Sequence, residues 1–254
     1  QVTRQTFNDG SFIDLTYDAK GNLITVIEPG NEVTTFTYDS SDRMTKVVYP
    51  VGRFLSFTYD ASGRRATMTD QLDYVVKYSY DVAGRLLSLT DGDGAMIVQY
   101  TYDAAGRLAR KDNGNATFTI YTYDLAGQVL SIVNNAPLAV GGVNSRFDYT
   151  YDALGRRISM STLDGVWTYD YDATGQLRSA IFVPGVSSPV PAQDLRYVYD
   201  AVGNRVRTIE NGVTTEYTTN NLNQYTHVGD DTLTYDADGN LIGRASPSGN
   251  ATYG

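Results

Sequence analysis

The sequence predicts an all-β protein built as an array of about ten β-hairpins, and three observations lead to this prediction. A Tyr-Asp pair, usually followed by two variable residues and Gly, recurs along nearly the whole chain of 254 residues. The chain is rich in Gly and Tyr, with 24 and 21 copies, and these residues serve turns and half-buried strand surfaces. No segment shows a sustained helical period. Such a regular repeat indicates that each unit buries its apolar surface against its neighbours.

The repeated motif is Tyr-Asp-x-x-Gly, and its first six copies are spaced by 21, 21, 21, 22 and 21 residues. Four copies follow at irregular spacings of 28, 20, 28 and 36 residues, and residues 217–224 are interpreted as a degenerate copy. We expect the conserved positions of the motif to have structural roles. These positions are Tyr17, Asp18, Gly21, Tyr38, Asp39, Tyr59, Asp60, Gly63, Tyr80, Asp81, Gly84, Tyr102, Asp103, Gly106, Tyr123, Asp124, Gly127, Tyr151, Asp152, Gly155, Tyr171, Asp172, Gly175, Tyr199, Asp200, Gly203, Tyr235, Asp236 and Gly239.

One unit, residues 96–117, shows why each copy is predicted to be a hairpin. Val98, Tyr100 and Tyr102 alternate with Ile97, Gln99 and Thr101, which is the period-two pattern of a strand. Asp103 begins a turn, where its carboxylate is expected to accept hydrogen bonds from backbone N–H groups two or three residues on. Gly106 can take the positive φ that a short hairpin loop needs. A second strand and a second turn then lead to the next copy.

Ten hairpins give roughly twenty strands, and open sheets rarely exceed about ten strands without curling. We therefore expect a long curled or spiralling antiparallel sheet, similar to a shell, with essentially no helix. Residues 1–254 are interpreted as a single continuous repeat region and a fragment of a longer protein. Longer loops are predicted at residues 134–145 and 182–194, because the repeat resumes in phase after each of them.

Composition excludes several classes of function. The net charge of −9 argues against a nucleic-acid groove and against docking on an anionic membrane. The chain has no cysteine, so disulfides and thiolate metal sites are excluded. No apolar run reaches the roughly 18 residues of a transmembrane helix, so no membrane insertion is predicted.

No catalytic or metal site is predicted, and we expect the chain not to be an enzyme and to need no cofactor. His227 is the only histidine, and no nucleophile motif accompanies it. The carboxylates follow the repeat, so no glycosidase pair stands out. The segments that begin at Asp91 and Asp236 superficially resemble calcium loops but lack the ligand spacing. Trp167 is expected to be packed on its strand and not exposed to a sugar.

The tyrosines allow two interpretations. Exposed Tyr beside Asp could form a glycan-binding array. The favoured interpretation is structural: each Tyr stacks on the Tyr of the next hairpin, and each Asp caps its turn. The Arg or Asn that follows the turn glycine, such as Arg107 or Asn22, is expected to pair with a neighbouring Asp.

The segments FTYDASGRRATMTD, YSYDVAGRLLSLTD, YTYDAAGRLARKDN and YTYDALGRRISMST resemble the unit of the YD-repeat, or Rhs-repeat, family. This family includes bacterial polymorphic toxins, shell components of insecticidal toxin complexes, wall-associated proteins and teneurins. The resemblance implies a β-sheet that spirals into a shell, which in the toxin members encloses a C-terminal toxin. No Asp-Pro pair, which belongs to the self-cleaving element of those toxins, occurs in this chain.

The function that the resemblance implies is a structural segment of a large secreted or cell-surface bacterial protein. Its partners would be the remainder of its own polypeptide, including a C-terminal toxin, or other copies of itself. The alternative is an extracellular fibre, stalk or adhesion module that assembles by repeat stacking and binds glycans.

Overall fold

The computed structural model describes residues 1–7, 9–137 and 141–253, which form 24 strands and one three-residue 3-10 turn at Pro50–Gly52. Every strand pairing described is antiparallel and joins strands that are consecutive in the chain. The predicted all-β array of antiparallel hairpins is confirmed, with more strands than the roughly twenty expected. No helix in these described ranges has the length and apolar character needed to span a membrane.

The chain divides into two compact units, residues 1–119 with 136–142, and residues 120–135 with 143–254. Strand β12 (Phe118–Tyr123) contributes residues to both. The strands of the first unit are β1 (Arg4–Thr6), β2 (Phe12–Tyr17), β3 (Leu23–Glu28), β4 (Glu32–Tyr38), β5 (Met44–Val48), β6 (Phe54–Tyr59), β7 (Arg65–Asp70), β8 (Val75–Tyr80), β9 (Leu86–Asp91), β10 (Met96–Tyr102) and β11 (Leu108–Asn113). Those of the second are β13 (Val129–Asn135), β14 (Val143–Tyr151), β15 (Arg157–Thr162), β16 (Gly165–Tyr171), β17 (Leu177–Pro184), β18 (Gln193–Tyr199), β19 (Arg205–Glu210), β20 (Val213–Thr219), β21 (Tyr225–Val228), β22 (Asp231–Tyr235), β23 (Leu241–Ser246) and β24 (Gly249–Thr252).

A β-bulge accompanies the Tyr-Asp hairpins. In the pair β10–β11, Thr101 lies opposite Arg110, but Tyr102 lies opposite Leu108, so the return strand contains one extra residue. The same shift occurs at the motif tyrosine in the pairs β2–β3, β4–β5, β6–β7, β8–β9, β14–β15, β16–β17, β18–β19 and β22–β23. A turn followed by a residue with positive φ and a bulge is a common hairpin connection.

The motif tyrosines define one face of the sheet, here named the tyrosine face, which contains Tyr100, Tyr102 and the residues in register with them. Strand alternation places Val98 on this face, and it is only 6% exposed. Most other buried residues lie on the same face: Val47, Phe57, Val76 and Thr119, and in the second unit Ala180, Phe182 and Thr208. The apolar core of each unit is therefore one-sided.

The opposite face, here named the hydroxyl face, contains the residue that directly precedes the motif tyrosine in each copy. Its side chains form cross-strand hydroxyl pairs, with oxygen–oxygen distances of 2.7 Å between Thr58 and Thr67 and 2.7 Å between Ser79 and Ser88. Cross-strand pairs of this kind contribute about 0.2–1 kcal/mol each. The two faces thus differ in chemistry: the tyrosine face is mainly apolar and aromatic, and the hydroxyl face is polar.

The predicted long loops are shorter in the structure. Strand β13 continues to Asn135 and β14 begins at Val143, so the first connection comprises residues 136–142, of which 138–140 lie outside the described residues. Strand β17 continues to Pro184, and β18 begins at Gln193. Phe182, placed at the edge of the predicted loop, pairs with Trp167 and is 2% exposed. The apolar face of this hairpin extends the pairing beyond the repeat's usual length.

Each unit is a single layer of strands. Substantial contacts between strands join only neighbours in the sheet, and no second sheet or helix among the described residues covers the tyrosine face. The chain accordingly exposes 15940 Å², whereas a compact protein of its 27.9 kDa exposes about 11,000 Å². The excess follows from the absence of a second packed layer.

Val51 offers a test of the turn geometry, because this β-branched residue has φ 59° and is 95% exposed. A left-handed conformation costs an ordinary residue about 1–2 kcal/mol, and Asn tolerates it better. We expect Val51→Asn to raise the free energy of unfolding by about 1 kcal/mol in urea titration. The control is Val82→Asn, at an exposed turn position whose φ is not positive. Equal effects at both positions would contradict the assignment of strain to Val51.

Candidate functional site: the turns and tyrosines of the repeat

The aspartate of each motif organises a turn, which we name the YD turn and define as the residues from the motif Asp to the residue after its Gly. In the copy at Asp103, the Gly106 N–H donates to the Asp103 carbonyl at 2.9 Å, and Gly106 has φ 82°. One carboxylate oxygen of Asp103 accepts the N–H groups of Ala105 and Arg107, both at 2.9 Å. The acceptor contacts reach two and four residues on, so the predicted reach of two or three was partly wrong.

The second carboxylate oxygen of Asp103 accepts a hydrogen bond from Nε of Arg107 at 2.7 Å. Arginine makes the same contact in four other copies, and asparagine replaces it in three: Arg43, Arg64, Arg85 and Arg156, and Asn22, Asn204 and Asn240. The structure therefore places these residues as the local partners of the motif aspartates. Each carboxylate is occupied within its own turn.

These contacts lower the pKa of the motif aspartates. For Asp60, Asp81 and Asp103 the main cause is the backbone N–H of the arginine four residues on, and the arginine side chain adds to it. For Asp39 the Arg43 side chain is the main cause. The carboxylates are thus held in the charged form that accepts hydrogen bonds.

The motif tyrosine connects its repeat to the preceding one. The hydroxyl of Tyr102 donates to the carbonyl of Leu86 at 2.7 Å. The acceptor is the residue two positions after the turn glycine of the preceding copy. Equivalent bonds of 2.5–3.0 Å run from Tyr38 to Leu23, Tyr59 to Met44, Tyr80 to Arg65, Tyr151 to Val129, Tyr171 to Arg157 and Tyr235 to Tyr225.

The arginine of one YD turn covers the tyrosine ring of the next copy. The guanidinium carbon of Arg85 lies 4.3 Å from the ring centre of Tyr102, and the corresponding distances are 4.4–4.8 Å for Arg43 on Tyr59, Arg64 on Tyr80 and Arg156 on Tyr171. A Cβ atom built at Gly106 would lie 3.1 Å from Nη1 of Arg85. One arginine therefore contacts its own aspartate, the next tyrosine and the next turn.

The predicted stacking of each tyrosine on the next tyrosine was wrong. Within residues 1–7, 9–137 and 141–253, the close ring pairs are Trp167 with Tyr169, Trp167 with Phe182, and Tyr217 with Tyr225. Successive motif tyrosines lie two strands apart, which is about 9.6 Å. Aromatic pairs have centres about 4.5–7 Å apart. The rings are too distant to touch, and the longer arginine side chain fills the gap.

Two copies show that the turn tolerates substitution of its motif residues. In the degenerate copy, Asn220 accepts the N–H groups of Leu222 and Gln224 at 2.9 and 3.1 Å, and Asn223 takes the glycine position with φ 60°. Asp42 takes the glycine position of another copy, also with φ 60°. The interpretation of residues 217–224 as a degenerate copy agrees with this geometry.

A second set of aspartate turns lies between the repeats, and sequence reasoning identified these only as generic turns. Asp91 accepts the N–H groups of Asp93 and Ala95 at 3.0 and 2.8 Å, and Asp70 binds its turn in the same way. The spacing of 21 residues from Asp70 to Asp91 repeats that of the motif and was the available signal. The segment at Asp91 that resembled a calcium loop is therefore a hairpin turn.

The other singled-out residues do not come together. His227 is exposed on β21, with Nδ1 3.3 Å from the Thr226 hydroxyl. Trp167 is half-buried, with its ring nearly parallel to that of Tyr169 and 5.1 Å from that of Phe182, so it is packed as expected. In the part of the chain that the structure describes, no three His, Cys, Asp or Glu residues are grouped to hold a metal ion.

Comparison with known proteins relates this geometry to a family. The family described as Teneurin YD-shell matches residues 1–132 and 54–208, and no relative among the curated proteins matches. The crystal structure of TcdB2-TccC3 is similar over 95% of this chain, with 18% identity and a TM-score of 0.73. The Photorhabdus luminescens Tc holotoxin pore is similar over 95%, with 17% identity and a TM-score of 0.59. The chain spans 16% and 18% of the lengths of those two chains.

The hydroxyl of Tyr102 is predicted to stabilise the contact between repeats. We expect Tyr102→Phe to lower the free energy of unfolding by about 1 kcal/mol, because it removes one hydrogen bond to Leu86. Tyr100→Phe is the matched control, since Tyr100 lies on the same strand and face but makes no described hydrogen bond. Urea unfolding of both variants provides the measurement. A cost at Tyr100 equal to that at Tyr102 would contradict the role of the hydroxyl.

The motif aspartates predict loss of stability in acid. Their folded pKa lies below the unfolded value of about 3.9, so their contribution is fully present above that pH and is lost as pH falls through the folded pKa. We expect the Tm to be level from about pH 5 to 7 and to fall below about pH 4. The combined variant Asp60→Asn, Asp81→Asn, Asp103→Asn should show a lower Tm at neutral pH and a shallower fall in acid. A Tm independent of pH would refute this account.

Proposed function

The chain belongs to the Teneurin YD-shell family, and from this membership we propose that it forms part of the wall of a β-shell and catalyses no reaction. The wall encloses another stretch of the same polypeptide, such as a C-terminal toxin. The whole protein is secreted or displayed at a bacterial cell surface. The similarity to the Tc holotoxin pore supports this proposal, because that assembly is named as a toxin.

One observation carries the proposal: each unit is a single layer whose apolar face has no second layer on it within the described residues. A sheet that buried its own core would need a second layer or closure. The area exposed beyond that of a compact protein is on the order of 5,000 Å². A wall that covers another polypeptide has this property, since its inner face is completed by what it encloses.

The contacts between repeats suit a wall. Seven motif tyrosines donate to the preceding copy and four turn arginines lie on a tyrosine ring of the next copy, so stability is distributed along the sheet in nearest-neighbour steps. The motif carboxylates are occupied by backbone N–H groups and arginine, which leaves them unsuited to act as a general acid or base. This arrangement supports a structural role for the repeat.

The proposal is tested on the full-length polypeptide that contains this chain. We expect the region beyond the repeats to resist protease under native conditions, while the same region expressed alone is digested, and electron microscopy to show closed particles. Gly114→Ala should expose the enclosed region, because its Cβ would lie 2.2 Å from the Met96 carbonyl oxygen.

Gly92→Ala is the control for this experiment, since Gly92 has no positive φ and its Cβ would lie 3.5 Å from the Val75 Cβ, an ordinary contact distance. Two results would overturn the proposed function. One is digestion of the downstream region at the same rate with and without the repeats. The other is extended filaments in place of closed particles, which would favour the fibre.

A further inference from the structure

Four basic side chains of the tyrosine face lack a carboxylate partner. Of the 20 Lys and Arg side chains, 13 form an ion pair with a described residue. Arg65, Lys111, Arg157 and Arg205 are not among them, and all four lie on the tyrosine face by their register or ring contacts. The tyrosine face therefore presents positive charge without a carboxylate partner, although the chain as a whole is acidic.

Arg157 lies in a pocket of about 410 Å³ in the second unit, which Tyr151, Tyr169 and Tyr171 also line. Its guanidinium carbon is 4.1 Å from the ring centre of Tyr149. The hydroxyls of Tyr151 and Tyr171 are occupied by backbone carbonyls. The guanidinium of Arg157 and the hydroxyl of Tyr169 make no described hydrogen bond, so both remain available to a ligand in this pocket.

Arg205 occupies the same position of a later repeat. Its guanidinium carbon lies 5.1 Å from the ring centre of Tyr197 and 5.7 Å from that of Tyr217. Its Nε is buried and has no hydrogen-bond partner among the described residues, while the hydroxyl of Tyr217 is a hydrogen-bond partner of the guanidinium. A buried charged donor without a partner is costly. The position two residues after the turn glycine is apolar in most copies, so an arginine there is not required by the fold.

From these observations we propose that the tyrosine face of the second unit binds an acidic, extended polypeptide segment, whose carboxylates accept hydrogen bonds from Arg157 and Arg205. The guanidinium fork matches the geometry of a carboxylate, and the flanking rings contact the adjacent apolar atoms of the segment. This inference rests on the proposed function, since the bound segment is the enclosed polypeptide. It adds that the enclosed segment carries Asp or Glu where it meets this face.

The strand spacing sets the distance between the two carboxylates. Arg157 and Arg205 begin β15 and β19, which are separated by four steps through β16, β17 and β18. Four steps correspond to about 19 Å, and an extended chain covers about 3.3 Å per residue. The two carboxylates that bind Arg157 and Arg205 together therefore lie about six residues apart in the segment.

Binding of labelled peptides to the 254-residue chain tests this inference by fluorescence anisotropy. The first probe is an unstructured Gly/Ser peptide with two Glu residues six positions apart, each beside a Leu. The second probe has Gln in place of both Glu, and the third has the two Glu adjacent. We expect the first peptide to bind at least tenfold more tightly than the second and more tightly than the third.

Variants of the chain identify the site. Arg157→Gln with Arg205→Gln keeps part of each stem on its ring and is expected to weaken binding of the first peptide at least tenfold. Arg178→Gln with Arg196→Gln is the control, because both arginines have carboxylate partners, and it should leave binding unchanged. Arg157→Lys with Arg205→Lys keeps the charge without the fork and should give intermediate affinity. Circular dichroism and Tm confirm that each variant is folded.

Two results would overturn the inference. One is equal affinity of the first peptide for the wild type and the Arg157→Gln, Arg205→Gln variant. The other is equally tight, equally arginine-dependent binding of a single-stranded oligonucleotide, which would indicate a general anion surface. Protease protection in the full-length polypeptide separates this inference from the proposed function. If the downstream region is protected from protease but peptide binding does not depend on the arginines, only the inference is refuted. If the downstream region is not protected in the wild type, the shell itself is refuted.

Discussion

The carboxylate of the motif aspartate is the group on which the rest of the structure depends. In the copy at Asp103 it accepts two backbone N–H groups and the arginine that follows the turn. This fixes the turn, and the bulge that follows brings Arg107 and Leu108 into position on the return strand. In the preceding copy the corresponding residues are Arg85 and Leu86. The guanidinium of Arg85 lies on the ring of Tyr102, and the carbonyl of Leu86 accepts a hydrogen bond from the Tyr102 hydroxyl. The motif aspartate thus determines both the conformation of its hairpin and the contact between its copy and the next.

Contacts between neighbouring repeats take the place of a conventional core. Each unit is one layer thick, and only a few side chains, such as Val76 and Phe182, have less than a tenth of their surface exposed. A long open sheet without a second layer would expose its apolar face to water, which is unfavourable. Membership of a shell family supplies the context in which such a sheet is useful, because a wall leaves one face for its contents. Arg157 and Arg205, which have no carboxylate partner, give that face positive charge.

The repeat made the hairpins predictable because turn chemistry is local. Asp103 and Gly106 determine their turn through residues no more than four positions away, so sequence alone suffices there. The contact between copies was not predictable in the same way. Stacking of tyrosines was expected, but the distance across an intervening strand excludes it, and the Tyr102 hydroxyl instead donates to the carbonyl of Leu86. The loop lengths were overestimated because the apolar pairing of Phe182 with Trp167 extends a strand into an apparent insertion.

A double-mutant cycle between Arg85 and Tyr102 tests most directly whether neighbouring repeats stabilise each other through this contact. The free energy of unfolding is measured for the wild type, Arg85→Gln, Tyr102→Leu and the double variant. The Arg85–Asp81 pair is lost in both backgrounds and cancels. The cation–π geometry predicts a coupling of about 0.5–1 kcal/mol. Effects that add within about 0.3 kcal/mol would show that the two repeats are independent at this contact and would contradict the account.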